Sequence, residues 1–189
     1  MKLGTFGVIA ASLLLTAACE TTSSRPYKAS TENIMSAQSA LPTGTKVTVG
    51  DFVAAADVDT SPTCRAMGAL EVAPGQSPID YIHDAFQEEL FEAGLIASGA
   101  PEISGEVTEL DFSSFGTGSW NVTLAVTSPS LPEGYSVSTA YSFKTSFSAI
   151  NACQNVIDAF QPTVSDLLSK VVNHPDFPAL AGSEASATS

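Results

Sequence analysis

Tyr135-Ser136-Val137-Ser138-Thr139-Ala140-Tyr141-Ser142-Phe143-Lys144-Thr145-Ser146-Phe147 alternates without a break. In an extended chain the odd-numbered side chains, mostly aromatic or β-branched, fall on one side, and Ser, Ala and Lys fall on the other. A strand buried on both faces would be apolar throughout. This one therefore has a core side and an open side, as in an antiparallel sheet covered on one face only. Tyr141 and Phe143 are expected in the core, and Ser138 and Ser142 on the open, helix-free face.

The segments upstream carry the same pattern. Trp120, Val122, Leu124 and Val126 share a face opposite Asn121, Thr123 and Thr127, and the Pro129 to Gly134 stretch supplies the turn that follows. Residues 102–111 alternate around Ile103 and Val107, then slip phase at Leu110 and Phe112, which predicts a bulge near Glu109. Residues 102–147 thus read as a three-stranded meander. Two further strands are expected earlier, over 45–53 (Val47, Val49, Val53) and, more weakly, over 65–72, where Gly68 marks a bulge or close contact.

Two helices complete the pattern. Ser77-Pro78-Ile79-Asp80 combines an N-cap, a first-turn proline and a first-turn acid. Ile79, Ile82, Phe86, Leu90 and Ala93 then recur at helical spacing until Gly94 stops the run, with Leu95 placed for the usual hydrophobic contact. The second helix starts near Ala149 and carries Cys153, Val156, Ile157, Phe160, Val164, Leu167, Leu168 and Val171 on its stripe. Pro162 lies inside it and predicts a kink or split. The expected fold is α+β: a two-layer sandwich of an antiparallel sheet of about five strands with two helices on one face, in the order β-β-α-β-β-β-α.

At the N-terminus, Lys2 precedes an apolar run, Phe6 to Leu15, that is too short to span a bilayer, and small residues then lead to a cysteine. The Leu15-Thr16-Ala17-Ala18-Cys19 run resembles the bacterial lipobox. The resemblance implies cleavage before Cys19 and acylation of that cysteine. Glu20, where an aspartate would favour inner-membrane retention, resembles the outer-membrane class. The domain expectations follow: residues 1–18 a lipoprotein signal peptide, 19–40 a flexible leash carrying lipidated Cys19, 41–181 the α+β domain, and 182–189 a disordered tail.

The 189-residue chain carries 7 Lys and Arg against 20 Asp and Glu, a net charge of −13, with no basic patch. Nucleic-acid binding is excluded on that ground. Of 3 cysteines, Cys64 and Cys153 remain once Cys19 holds lipid. In an oxidising envelope they are expected to pair, the alternative being two buried free thiols. No nucleophile signature, HExxH helix or glycine-rich phosphate loop is present, so no enzyme activity, cofactor or metal is expected. His83 among Asp80, Asp84 and Glu88 has helical metal-site spacing but reads as a solvated acidic face, and His174 as a cation at a helix C-terminus.

The helix over 79–94, the Ile103-Ser104-Gly105-Glu106-Val107 strand and the helix over 152–168, behind a lipobox, are similar in architecture to small outer-membrane lipoproteins. They resemble the accessory lipoproteins of lipopolysaccharide export and the auxiliary lipoproteins of lipid-transporting ABC systems. The resemblance implies a non-catalytic accessory of an envelope complex, anchored by lipid on the periplasmic face of the outer membrane, with a protein partner there. The alternative is a module that binds a lipid or small apolar ligand between helices and sheet, near Trp120, Tyr141 and Phe143.

Overall fold

Eight elements follow one another: α1 (Thr31–Ala40), β1 (Thr48–Ala54), α2 (Pro78–Glu92), β2 (Glu102–Ser113), β3 (Thr117–Ser128), β4 (Leu131–Lys144), α3 (Ala149–Val172) and α4 (Phe177–Leu180). They come from a computed structural model that describes residues 26–183. The expected leader, Cys19, and residues 184–189 of the expected tail lie outside the described residues.

The architecture is α+β, with one four-stranded sheet in the order β1-β2-β3-β4. Its strands β2, β3 and β4 form the antiparallel meander, and the register slips between Val107 and Glu109 as the phase change predicts. Three points of the expected fold are corrected.

First, the sheet is mixed, because β1 runs parallel to β2. Parallel neighbours need a crossover, and α2 supplies it. Second, residues 65–72 form no named strand. Arg65 (φ 45°), Ala66 (φ 58°) and Gly68 (φ 100°) turn the chain through left-handed conformations, leaving a single Thr63–Ala69 bridge. The strand count falls to four and the element order becomes α-β-α-β-β-β-α-α. Third, residues 31–40 of the expected leash are helical and docked. Ser30 caps α1, and Asn33 and Ala37 are buried. Within α1 the only large apolar side chain packed on the core is Ile34, which is partly buried, so no stripe of large apolar side chains announces the contact.

The capping box expected for α2 is present: Ser77 Oγ accepts from the Asp80 amide at 3.1 Å, and Asp80 Oδ2 accepts from the Ser77 amide at 3.3 Å. At the other end Gly94 takes φ 71° and the Leu95 amide reaches back to Leu90 O at 2.9 Å. α3 runs unbroken through Pro162, so the helix does not split there. The proline forfeits only its own bond to the Asp158 carbonyl and sits half-exposed, while the Thr163 hydroxyl donates to Ala159 O at 2.6 Å. Phe177 and Leu180 of α4 are fully buried, closing the bottom of the core.

α2 and α3 cover one face of the sheet, and α1 packs on both helices. Trp120 anchors the interior with no exposed surface; its indole N–H donates to Val156 O at 2.9 Å, and the rings of Phe160 and Phe112 lie 4.8 and 5.0 Å away. Tyr141 and Phe143 face inward as their phase requires, but they are only half-buried; Val137 and Thr139 take the buried positions of β4. The strand ends at Lys144, so Phe147 stands free of the sheet.

Cys64 and Cys153 form a disulfide that ties the loop before α2 to the first turns of α3. No helix among the described residues is long and apolar enough to cross a membrane.

Candidate functional site

Three arrangements stand out, and none was singled out whole by the sequence. The first is centred on Glu89. It lies three residues after Phe86 and seven after Ile82, on the buried stripe of α2, and is only 1% exposed. Its Oε1 accepts from the Tyr27 hydroxyl, from Asn33 Nδ2 at 2.9 Å and from the Ser30 amide at 3.3 Å. The Asn33 amide group also donates to Ser165 O at 2.9 Å. One carboxylate and one amide thereby fasten α1, and the residues before it, to α2 and α3.

Glu89 Oε2 is buried and has no hydrogen-bond partner. Burial raises the Glu89 pKa above its ordinary 4.5; the hydrogen bonds from Tyr27, Asn33 and Ser30 oppose this, and the charge on Glu88 adds to it. Burial, with Glu89 next to it, also pushes the Tyr27 hydroxyl upward, and burial lifts Tyr81 to about 12. This is a clamp for a chain segment, held by a carboxyl group whose pKa burial raises above the ordinary carboxylate value.

The second arrangement lies at the end of the sheet beside the disulfide. Arg65 Nε donates to Ser114 Oγ at 3.0 Å, Nη1 to Ser146 O at 3.0 Å and to Phe147 O at 3.4 Å, and Nη2 to Ser114 O. Its guanidinium lies 4.4 Å from the centre of the Phe115 ring. No carboxylate forms an ion pair with it among the described residues. One cation thus holds together the β2–β3 turn and the β4–α3 connection.

The third is the open face of the sheet. Thr123 Oγ1 donates to Glu109 Oε2 at 2.8 Å and shares a hydrogen bond with Ser138 Oγ at 2.9 Å, making a polar chain across β2, β3 and β4. Ser138 and Ser142 are exposed, on the side away from the helices. At the edge, Lys170 Nζ donates to Ser138 O at 2.9 Å and pairs with Asp166 at 3.0 Å. Burial would raise Asp166, but hydrogen bonds from Thr139 and Lys170 outweigh it and hold the carboxyl below its ordinary value.

Of the acidic residues around His83, Asp80 and Asp84 are engaged locally, and Glu88 Oε1 accepts from the Ala29 amide at 3.4 Å. Asp80 closes the cap of α2, Asp84 accepts from Gln76 at 2.7 Å and lies 2.8 Å from His83 Nδ1, and the His83 ring meets Phe52 edge-on. Among the described residues no group of three His, Cys, Asp or Glu side chains is placed to hold a metal ion. His174 stacks on Tyr135 with ring centres 3.8 Å apart, and the Tyr135 hydroxyl donates to Val171 O at 2.9 Å. His174 also lines a hollow of about 830 Å³ between α1 and the end of α3, with Met35, Ser39, Val172 and Pro178.

The clamp left one trace in the sequence, an acid on an apolar stripe. Arg65 left none, because its partners are backbone carbonyls of loops remote in the chain.

No protein-family model matches the chain, and no curated protein matches it. Among solved structures it is similar to the crystal structure of protein XCC0632 from Xanthomonas campestris, of the family model DUF330. The TM-score is 0.47 and the sequence identity 14%, over 70% of this chain and 90% of that one.

Proposed function

We propose that this chain is a lipoprotein of the bacterial cell envelope, tethered through Cys19 to the periplasmic face of the outer membrane, and that it serves as a non-catalytic accessory of an envelope transport assembly. The observation that carries this reading is the Leu15-Thr16-Ala17-Ala18-Cys19 run behind its short apolar segment. Multiple acyl chains on one cysteine hold a protein on a bilayer without a spanning helix.

The open face of the sheet supports the accessory role. It offers small hydroxyl side chains on a rigid, helix-free surface, which suits contact with a partner protein. Affinity purification from detergent-solubilised membranes tests this. The wild type should recover a partner, and Ser138→Arg with Ser142→Arg should lose it while melting at nearly the same temperature. Full recovery by the double variant contradicts a partner on this face. Labelled palmitate entering a Cys19→Ala variant as well as the wild type contradicts the tether.

A further inference from the structure

We propose that the end of the domain built around Arg65, Phe115 and Phe147 rests on the bilayer to which Cys19 is tethered, so that the domain is oriented on the membrane as well as anchored to it. The inference rests on the lipid-anchor reading above and adds a second, protein-borne contact.

Four of the seven large apolar side chains exposed among the described residues sit at this one end: Phe147 at 108%, Phe115 at 69%, Met67 at 54% and Ile150 at 52%. Phe115 and Phe147 line one hollow with Arg65, and Met67 and Ile150 line the next with the disulfide. These are not loose tips. The Arg65 guanidinium grips the backbone of both phenylalanine loops, and the disulfide fixes the base of the Arg65 loop to α3. Rigid loops presenting phenylalanine to solvent bear a standing hydrophobic cost, which an apolar surface removes.

The course of the chain selects a bilayer as that surface. α1 lines a hollow with Val172 and Pro178, Asn33 lies against Ser165, and Tyr27 meets Tyr81 edge-on at 6.0 Å, which in turn packs on Phe160 at 5.3 Å. Followed backward, the chain thus descends α3 toward its N-terminal end, where Ile150 and Phe147 lie. From Phe160 to Ala149 is about 16 Å of helix. Seven peptide steps separate Cys19 from Pro26 and span at most about 25 Å. A lipid on Cys19 is within reach of this end.

The charge at this end is mixed. Arg65 stands beside the two phenylalanines, with Asp59 and Asp111 around the adjoining hollow. The contact is therefore with the apolar margin of the headgroup layer and not with anionic lipid charge, and it should be insensitive to salt. A weak patch suffices, because the tether supplies a high effective concentration.

The test uses the full chain, purified from membranes and reconstituted into phosphatidylethanolamine–phosphatidylglycerol vesicles containing brominated acyl chains, which quench tryptophan. Trp120 is buried and serves as an unquenched internal background. Phe147→Trp, at a fully exposed side chain, should be blue-shifted and quenched at low and high salt alike. Ser138→Trp on the open face should be neither. Protein that floats with the vesicles while Phe147→Trp stays unquenched overturns the proposal and leaves the tether intact. Protein whose Cys19 carries no lipid by mass and which does not float overturns both. A shift in native membranes without quenching in pure lipid assigns the patch to a protein partner and overturns the bilayer contact.

Discussion

Glu89→Gln isolates the clamp, because it removes the charge while keeping an oxygen for Tyr27, Ser30 and Asn33. In the wild type, burial holds the Glu89 pKa above 4.5 in the folded state, so the folded protein binds its proton more tightly than the unfolded chain does. Stability from this group is complete below about pH 4.5 and is lost as pH rises through the folded-state pKa. Within that window the loss approaches about 1.4 kcal/mol per pH unit, and above it the curve flattens. Glu89→Gln removes that slope. It also places an amide N–H₂ where Oε2 now lies unpartnered, at a cost of about 1–3 kcal/mol, so the variant should be less stable in acid and should close the gap as pH rises.

Urea unfolding of both proteins from pH 4 to 8, with Glu92→Gln on the exposed side of α2 as control, measures the difference. Glu89→Ala should cost about 3 kcal/mol, three hydrogen bonds at about 1 each, and should speed amide exchange throughout α1. Parallel pH curves for Glu89→Gln and wild type would refute the clamp as the source of this pH dependence.

Breaking the disulfide with Cys64→Ser and Cys153→Ser together should lower stability by about 4–5 kcal/mol, since the closed loop spans a separation of 89 residues; denaturant midpoints with and without reductant check it. Trp120→Ala should cost about 3–5 kcal/mol, because the ring is enclosed and its N–H bonds to α3. Phe143→Ala should cost less, about 1–2 kcal/mol, because that ring is half-buried; equal losses in chemical denaturation would contradict this assignment of core and margin.

Period-two and period-3.6 patterns made the meander, the bulge near Glu109, both long helices and the caps of α2 legible, since each involves neighbours in the chain. What escaped depends on contacts remote in sequence. α1 docks through Asn33 and Ala37, and neither residue type marks a buried stripe. The segment 65–72 alternates weakly enough to suggest a strand, yet Arg65 and Ala66 at positive φ and the bond of Cys64 to Cys153 make it a loop. The parallel pairing of β1 follows from where α2 returns the chain, which no local pattern encodes. Phe147 continues the alternation of β4 beyond the point where pairing stops, and its pattern carried no sign of the exposure that now gives it interest.

Mass spectrometry of the N-terminal peptide of protein extracted from membranes tests the lipid tether itself. The expected chain begins at Cys19, with that cysteine carrying a diacylglyceryl group and an acylated amino terminus. A peptide that retains residues 1–18, or one in which Cys19 bears no lipid, would contradict it.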